Sequence, residues 1–170
     1  CLMAKMRINR YLASTGAISR RKADELVLAG SVSINGKKAL VGDTVDPARD
    51  TVTVNGTPVS PQATRYLAMY KPKNVVTTLH DPEGRPTVND HIPGRYAGVF
   101  PVGRLDFDAE GLLLLTNDGD LAHQIHHPSF DVPKTYLVKV IPRVRPDQLE
   151  KMRRGIELDG SHFRTDIAAV

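Results

Sequence analysis

Gly103-Arg104-Leu105-Asp106-Phe107-Asp108-Ala109-Glu110-Gly111-Leu112-Leu113-Leu114-Leu115-Thr116-Asn117-Asp118-Gly119 is the densest stretch of the chain. Glycines bracket an acidic loop, and the four leucines that follow read as a buried strand. Asn117-Asp118-Gly119 is a turn that hands over to a helix from about Asp120 to His126. Working outward, Arg65 to Tyr70 and Val75 to Leu79 read as strands, His80 to Pro86 as an irregular loop, and Gly98 to Val102 as the lead-in to the acidic loop. Beyond the helix, Thr135 to Ile141 alternates like a strand. Pro146 to Arg154 reads as a helix, with Asp147 and Glu150 near its start and Arg153 and Arg154 near its end, as the helix dipole favours. Strands and helices intermingle without the long crossover helices of a parallel sheet, which predicts an α+β fold with a mixed or antiparallel sheet.

The N-terminal third has a different texture. Ile8, Tyr11 and Leu12 have helical spacing, stopped by Thr15-Gly16; Ser19 is an N-cap for a second helix with Ala23, Leu26 and Val27 inward and Gly30 as its stop. Two short strand patterns end in Asn35-Gly36 and Asn55-Gly56, both signals of tight hairpins. Pro58, Ser60 and Pro61 punctuate the chain, which divides into 6–60, a linker at 61–64, and 65–170.

The 170 residues allow one or two domains, and 41% hydrophobic with 25% charged residues is the balance of a globular chain. The longest apolar run, Leu112 to Leu115, is far too short to span a bilayer and no secretory segment leads the chain, so the expected location is the cytoplasm, away from membranes. Cys1 is the one cysteine and cannot form an internal disulfide; with Met3 and Met6 both candidate starts, residues 1–5 are set aside as a remnant. Residues 1–60 carry nine Lys and Arg against five Asp and Glu, whereas 61–170 carry fourteen of each. All the excess positive charge is therefore in the first third, the mark of an anchor for a polyanion joined to a part with another task.

Arg7, Arg10, Arg20, Arg21 and Lys22 lie on or beside the two short helices, and Lys37 and Lys38 follow the first hairpin turn. The cluster at 20–22 falls in a first helical turn, where cations oppose the dipole but a phosphate would be welcomed by backbone N–H groups and guanidinium groups together. The alternative is a solvated charged face. Residues 7–40, above all Ser19-Arg20-Arg21-Lys22-Ala23 and Gly30-Ser31-Val32-Ser33-Ile34-Asn35-Gly36, resemble the S4 RNA-binding module of two helices and a small sheet. The resemblance implies phosphate contact for Arg20, Arg21, Lys22, Lys37 and Lys38, and Arg7 and Arg10 are read beside them as RNA-binding.

Asp106, Asp108 and Glu110 before Gly111 imitate the start of a calcium loop, but the twelfth position is Asn117 rather than Glu. The same three carboxylates on alternate residues would also suit magnesium, and a surface loop whose acids cap neighbouring elements is the plain alternative. Against the plain reading stand Arg104, the flanking glycines and the apolar strand that can hold the loop rigid. A carboxylate beside a guanidinium stays ionised and can act as nucleophile or base. His123, His126 and His127 have helical spacing suited to a metal, but Pro128 closes the helix and no carboxylate completes a set, so packing and capping at the helix end is their expected role.

The stretch from Gly103 to Gly119 resembles the catalytic motif of the RsuA-type ribosomal RNA pseudouridine synthases. Lys71-Pro72-Lys73-Asn74-Val75-Val76-Thr77-Thr78 is similar to that family's first motif and Lys134-Thr135-Tyr136-Leu137-Val138 to its tyrosine segment, behind an S4 module as in that family. The resemblance implies that Asp106 attacks or deprotonates the ribose so that the uracil glycosidic bond breaks, the base turns and C5 rejoins C1′; both routes stay open. It implies no cofactor and no metal, a uridine flipped out of its stack, Tyr136 against the flipped base helping to move the C5 proton, and Arg104 positioning the substrate or filling the vacated stack. It adds Lys71 to the RNA-contacting cations and makes ribosomal RNA, from the large subunit by the details of Pro82 to Thr87 and Leu112 to Asn117, the expected partner, free or in ribosome-assembly intermediates.

The sequence departs from the family at Asn74, commonly Gly, and Ala109, commonly Thr or Ser. Family members also continue into a further Arg- and Asn-rich motif that completes the central sheet. An incomplete synthase domain should expose apolar surface, self-associate and show low or no activity. The alternatives to an isomerase are a catalytically silent S4-type RNA-binding protein and, more remotely, a metal-dependent phosphodiesterase using Asp106, Asp108 and Glu110.

Overall fold

The computed structural model describes residues 5–163, so Cys1 and Met3 lie outside the described residues. The chain divides into two compact units between Val132 and Pro133.

The first unit opens with β1 (Met6–Arg7), α1 (Ile8–Ser14) and α2 (Arg20–Leu28). Ser19 caps α2, its Oγ accepting from the Lys22 N–H at 3.2 Å. The chain then forms β2 (Val32–Ile34), β3 (Lys37–Lys38), β4 (Thr44–Val45), β5 (Val52–Val54) and β6 (Thr57–Val59). An antiparallel sheet runs β3-β2-β5-β6, and β1 pairs with β4. Both Asn-Gly pairs have φ positive at both residues, 51° and 78° at Asn35-Gly36 and 49° and 78° at Asn55-Gly56, the backbone that two-residue hairpin loops require. Ile8, Tyr11 and Leu12 of α1 meet Ala23 and Val27 of α2 and Val32, Val45 and Val52 of the strands in one buried cluster.

Downstream, β7 (Tyr66–Lys71), β8 (Phe100–Val102) and β9 (Gly111–Thr116) form an antiparallel sheet in the order β7-β9-β8, followed by α3 (Gly119–His126). The β7-β9 register pairs Met69 with Leu113 and Lys71 with Gly111. Asp118 caps α3, its Oδ1 accepting from the N–H groups of Asp120 and Leu121. Two sequence expectations need correction here. The leucine run is not buried on both faces: Leu113 and Leu115 are inside, while Leu112 is 70% and Leu114 36% exposed, so β9 alternates as a one-sided strand does. Tyr66 and Tyr70 share its open face. Val75 to Leu79 forms no strand; it makes a single bridge between Val76 and Thr87, because the Thr77 side chain and the Val76 backbone are engaged by neighbouring loops rather than by a ladder.

Part of this unit is knitted at backbone level. Gly16 and Gly98 both have positive φ, and a Cβ on Gly98 would lie 2.7 Å from the Gly16 Cα. The Gln62 N–H donates to the Ser14 carbonyl at 2.9 Å and the Tyr11 hydroxyl to the Val59 carbonyl at 3.0 Å.

The second unit holds α4 (Pro146–Arg154) and a hairpin of β10 (Ile156–Leu158) and β11 (Ser161–Phe163). Proline opens α4, the Gln148 side chain accepts from the Arg145 N–H, and Lys151, Arg153 and Arg154 fill its last turn. The strand expected at Thr135 to Ile141 is absent. No described strand pairs with it, and Leu137, Val138 and Ile141 are exposed; without a partner an alternating pattern has no ladder to join.

Candidate active site

The loop between β8 and β9 carries Asp106, and residues 71–77 fasten it. Alternation along β7 puts Lys71 on the same side as Leu67 and Met69, so its side chain is driven inward, to 0% exposure. The Lys71 ammonium donates to the Ala109 carbonyl at 2.8 Å and the Pro72 carbonyl at 2.9 Å. The Asn74 N–H donates to the Phe107 carbonyl at 2.7 Å. Thr77 holds Leu105 at both ends: its hydroxyl donates to the Leu105 carbonyl at 2.6 Å and accepts from the Leu105 N–H at 3.2 Å. The Leu105 side chain packs on the cluster of Val75, Val88 and Leu113. Asp106 thus stands between two clamped neighbours, closes a turn through its own carbonyl to the Ala109 N–H, and presents an exposed carboxylate.

Burial pushes the Lys71 ammonium below its ordinary pKa of 10.5, while the charges of Asp106 and Asp108 pull it back upward. The fixed cation beneath the loop is therefore Lys71, and its placement corrects the expectation that it contacts RNA. Arg104, expected as the partner of Asp106, makes no ion pair with it; it lies exposed at the rim of an open groove of about 570 Å³ lined also by Thr77, Leu79, Val102, Ala122 and His126. Tyr136 lies in the second unit, 62% exposed and outside any strand. Asp108 and Glu110 are exposed, Glu110 facing Lys73 at 3.8 Å. No three metal-ligating side chains converge among the described residues. His127 caps the turn after α3, accepting from the Ser129 N–H, and stacks on His123.

Among the cations of the first third, Arg7, Arg20, Arg21, Lys37 and Lys38 are exposed. Arg10 is engaged by Asp120 of α3 and Lys22 by Glu25, so these two are less available than the sequence suggested. Lys38 folds its ammonium over Gly30. The sequence reading passed over Thr77 as a clamp and Asn74 as a donor. For Asn74 the sequence signal is an Asn where Gly is common, a residue that tolerates the left-handed backbone, and φ is 62° there. For Lys71 it was the period-two parity with Leu67 and Met69.

Residues 65–168 match the family model for RNA pseudouridylate synthases and residues 6–50 that for the S4 domain. An uncharacterised RNA pseudouridine synthase of Aquifex aeolicus is 45% identical over 96% of this chain and 67% of its own length. Ribosomal large subunit pseudouridine synthase B of Bacillus subtilis is 39% identical over 90% of this chain and 63% of its own, and that of Vibrio cholerae 41% identical over 93% and 51%. A crystal structure of a pseudouridylate synthase superposes with a TM-score of 0.58 at 28% identity, covering 92% of this chain and 67% of that one. The chain thus spans between about half and two thirds of the length of these relatives. A clamped aspartate loop between two antiparallel strands, behind an S4 helix pair, accompanies an unbroken match to these proteins, and the chain belongs to the RNA pseudouridylate synthase family.

Proposed function

We propose that the protein isomerises a uridine of large-subunit ribosomal RNA to pseudouridine, with Asp106 as the catalytic carboxylate. The observation that carries this is the pinning of its loop: Leu105 is held through Thr77, Phe107 through Asn74 and Ala109 through Lys71, so Asp106 and Asp108 both stand exposed between fixed points, and the resemblance of Gly103 to Asp106 to the family motif selects Asp106. Such preorganisation suits a group that must meet one ribose carbon of a bound nucleotide. The glycosidic carbon is inaccessible in a stacked helix, so the uridine is flipped out to reach the loop. Asp106 then attacks or deprotonates the ribose, the C1′–N1 bond breaks, the uracil turns, and C5 bonds to C1′ before its proton is lost. Tyr136 is assigned to the flipped base and Arg104 to substrate positioning. Arg7, Arg20, Arg21, Lys37 and Lys38 supply phosphate contacts, for which their exposure is suited.

Incubating the full-length gene product and its Asp106→Asn variant with unmodified ribosomal RNA, without metal, and mapping pseudouridine tests this. The variant should bind RNA as wild type does and convert at least a thousandfold more slowly. Conversion by the variant at the wild-type rate, or RNA binding by wild type with every uridine unchanged, refutes it; the second outcome would favour a silent binder.

A further inference from the structure

Resting on that reading, we propose that the groove beside the Asp106 loop holds the nucleotide next to the target uridine, with a phosphate between Arg104 and His126. The groove, about 570 Å³, is of the size that takes a small ligand. Its wall is apolar at Leu79, Pro101, Val102 and Ala122, and no carboxylate lines it. Gly103 has φ of 84°, and a Cβ there would sit 3.6 Å from the His126 ring, so the backbone passes close under the imidazole at the last turn of α3. Neither the Arg104 guanidinium nor the His126 ring has a hydrogen-bonding or ionic partner among the described residues, whereas Arg10, Lys22, Lys73 and Arg85 are all ion-paired. Two free donor groups at an apolar trough with no acid in it complement a phosphate attached to a sugar and base.

The target uridine itself is not the occupant, because Asp106 does not line the groove. The reacting carbon must come within about 3 Å of the catalytic carboxylate. Residues 104 and 106 are separated by at most about 7 Å of extended chain, about one nucleotide step. A strand whose target sits at Asp106 therefore lays its neighbour in the groove.

Two measurements on the full chain decide this. Binding of hexauridylate is followed by fluorescence anisotropy in wild type, His126→Gln and Ala122→Phe, beside a hexauridylate analogue with neutral methylphosphonate linkages. Each substitution should weaken hexauridylate about tenfold, and His126→Gln should make no difference to the neutral analogue. His126 is exposed, so His126→Gln folds even where the bulkier variant fails. Unchanged affinity in His126→Gln, or an equal loss with the neutral analogue, overturns the phosphate assignment. In steady-state conversion of ribosomal RNA, both variants should raise KM about tenfold and lower kcat less than threefold. Collapse of kcat at unchanged KM would place the target base itself in the groove and overturn the proposal. A wild type that converts nothing refutes the isomerase reading alone, and the hexauridylate measurement still decides the groove.

Discussion

Lys71→Met replaces a buried ammonium by an apolar side chain of similar length. Two hydrogen bonds from a charged donor are lost, at about 1.5–3 kcal/mol each, and the carbonyls of Pro72 and Ala109 are left without them. Against this loss of about 3–6 kcal/mol stands the relief of no longer desolvating an ammonium, several kcal/mol. The net destabilisation should be about 2 kcal/mol, which for a chain of this size lowers Tm by about 4–8 °C. Because one of the two bonds is the tie on Ala109, the loop should loosen more than the fold. Thermal melting gives the first quantity, amide hydrogen exchange across residues 106–110 the second, and conversion of ribosomal RNA the third, with kcat falling at least tenfold. RNA affinity and its salt dependence should not move. If the variant melts with wild type while the slope of log K against log salt shrinks by about one, Lys71 is a phosphate contact and the burial argument is wrong.

Gly98→Ala should cost about 2–4 kcal/mol in urea unfolding, since φ of 92° is unfavourable for a side chain and the new Cβ would meet the Gly16 backbone at 2.7 Å; a loss under about 0.5 kcal/mol refutes the close approach. Arg10→Ala should reduce the salt slope of RNA binding less than Arg21→Ala does, because Asp120 already occupies the Arg10 guanidinium; equal reductions would show the pair yields freely to RNA. Asp81 is held down to about 2, from 3.8, chiefly by hydrogen bonds from the Arg85 side chain and then its backbone N–H. Its folded pKa lies below the unfolded one, so its contribution is full above about pH 4 and is lost as pH falls through about 2. Urea melts of wild type and Asp81→Asn should converge across that window, and a constant gap from about pH 5 to 2 would refute the clasp.

Local chemistry was the legible part of this fold. Ser19 and Asp118 act as caps, the Asn-Gly pairs turn hairpins, and Pro146 opens its helix, each decided by a few adjacent residues. The hairpin turn at Asp159-Gly160 carried the same signal and was passed over. What failed depends on partners distant in sequence. Composition marks Leu112 to Leu115 as buried, but whether both faces are covered is decided by what packs on the sheet. Val75 to Leu79 has strand composition, yet the Leu105 backbone claims its Thr77. At the site, Asp106 was legible as a motif, while the identity of the cation beneath it was not: proximity in sequence favoured Arg104, and strand parity puts Lys71 there instead.

Helix α3 bears on how an RNA anchor could communicate with the Asp106 loop, since Asp120 at its first turn is clasped by Arg10 of α1 and His126 at its last turn covers Gly103. Two kinds of link are available, and their magnitudes separate them. The Arg10–Asp120 pair is 41% and 67% exposed, so it contributes at most about 1 kcal/mol and a passing phosphate can compete for it. The link of Gly16 to Gly98, with the Gln62 N–H on the Ser14 carbonyl, is a close backbone approach at two glycines of positive φ, with no room for a side chain. The stiffer link sets the geometry. On the proposed phosphate role of Arg20 and Arg21, bound phosphates would stand at a fixed distance from the groove and the aspartate, and loss of the ion pair should change affinity without moving the site. On the proposed function the anchor should then act as a ruler rather than a switch: Gly98→Ala should disturb the choice of uridine, mapped by pseudouridine sequencing, whereas Arg10→Ala should leave it intact.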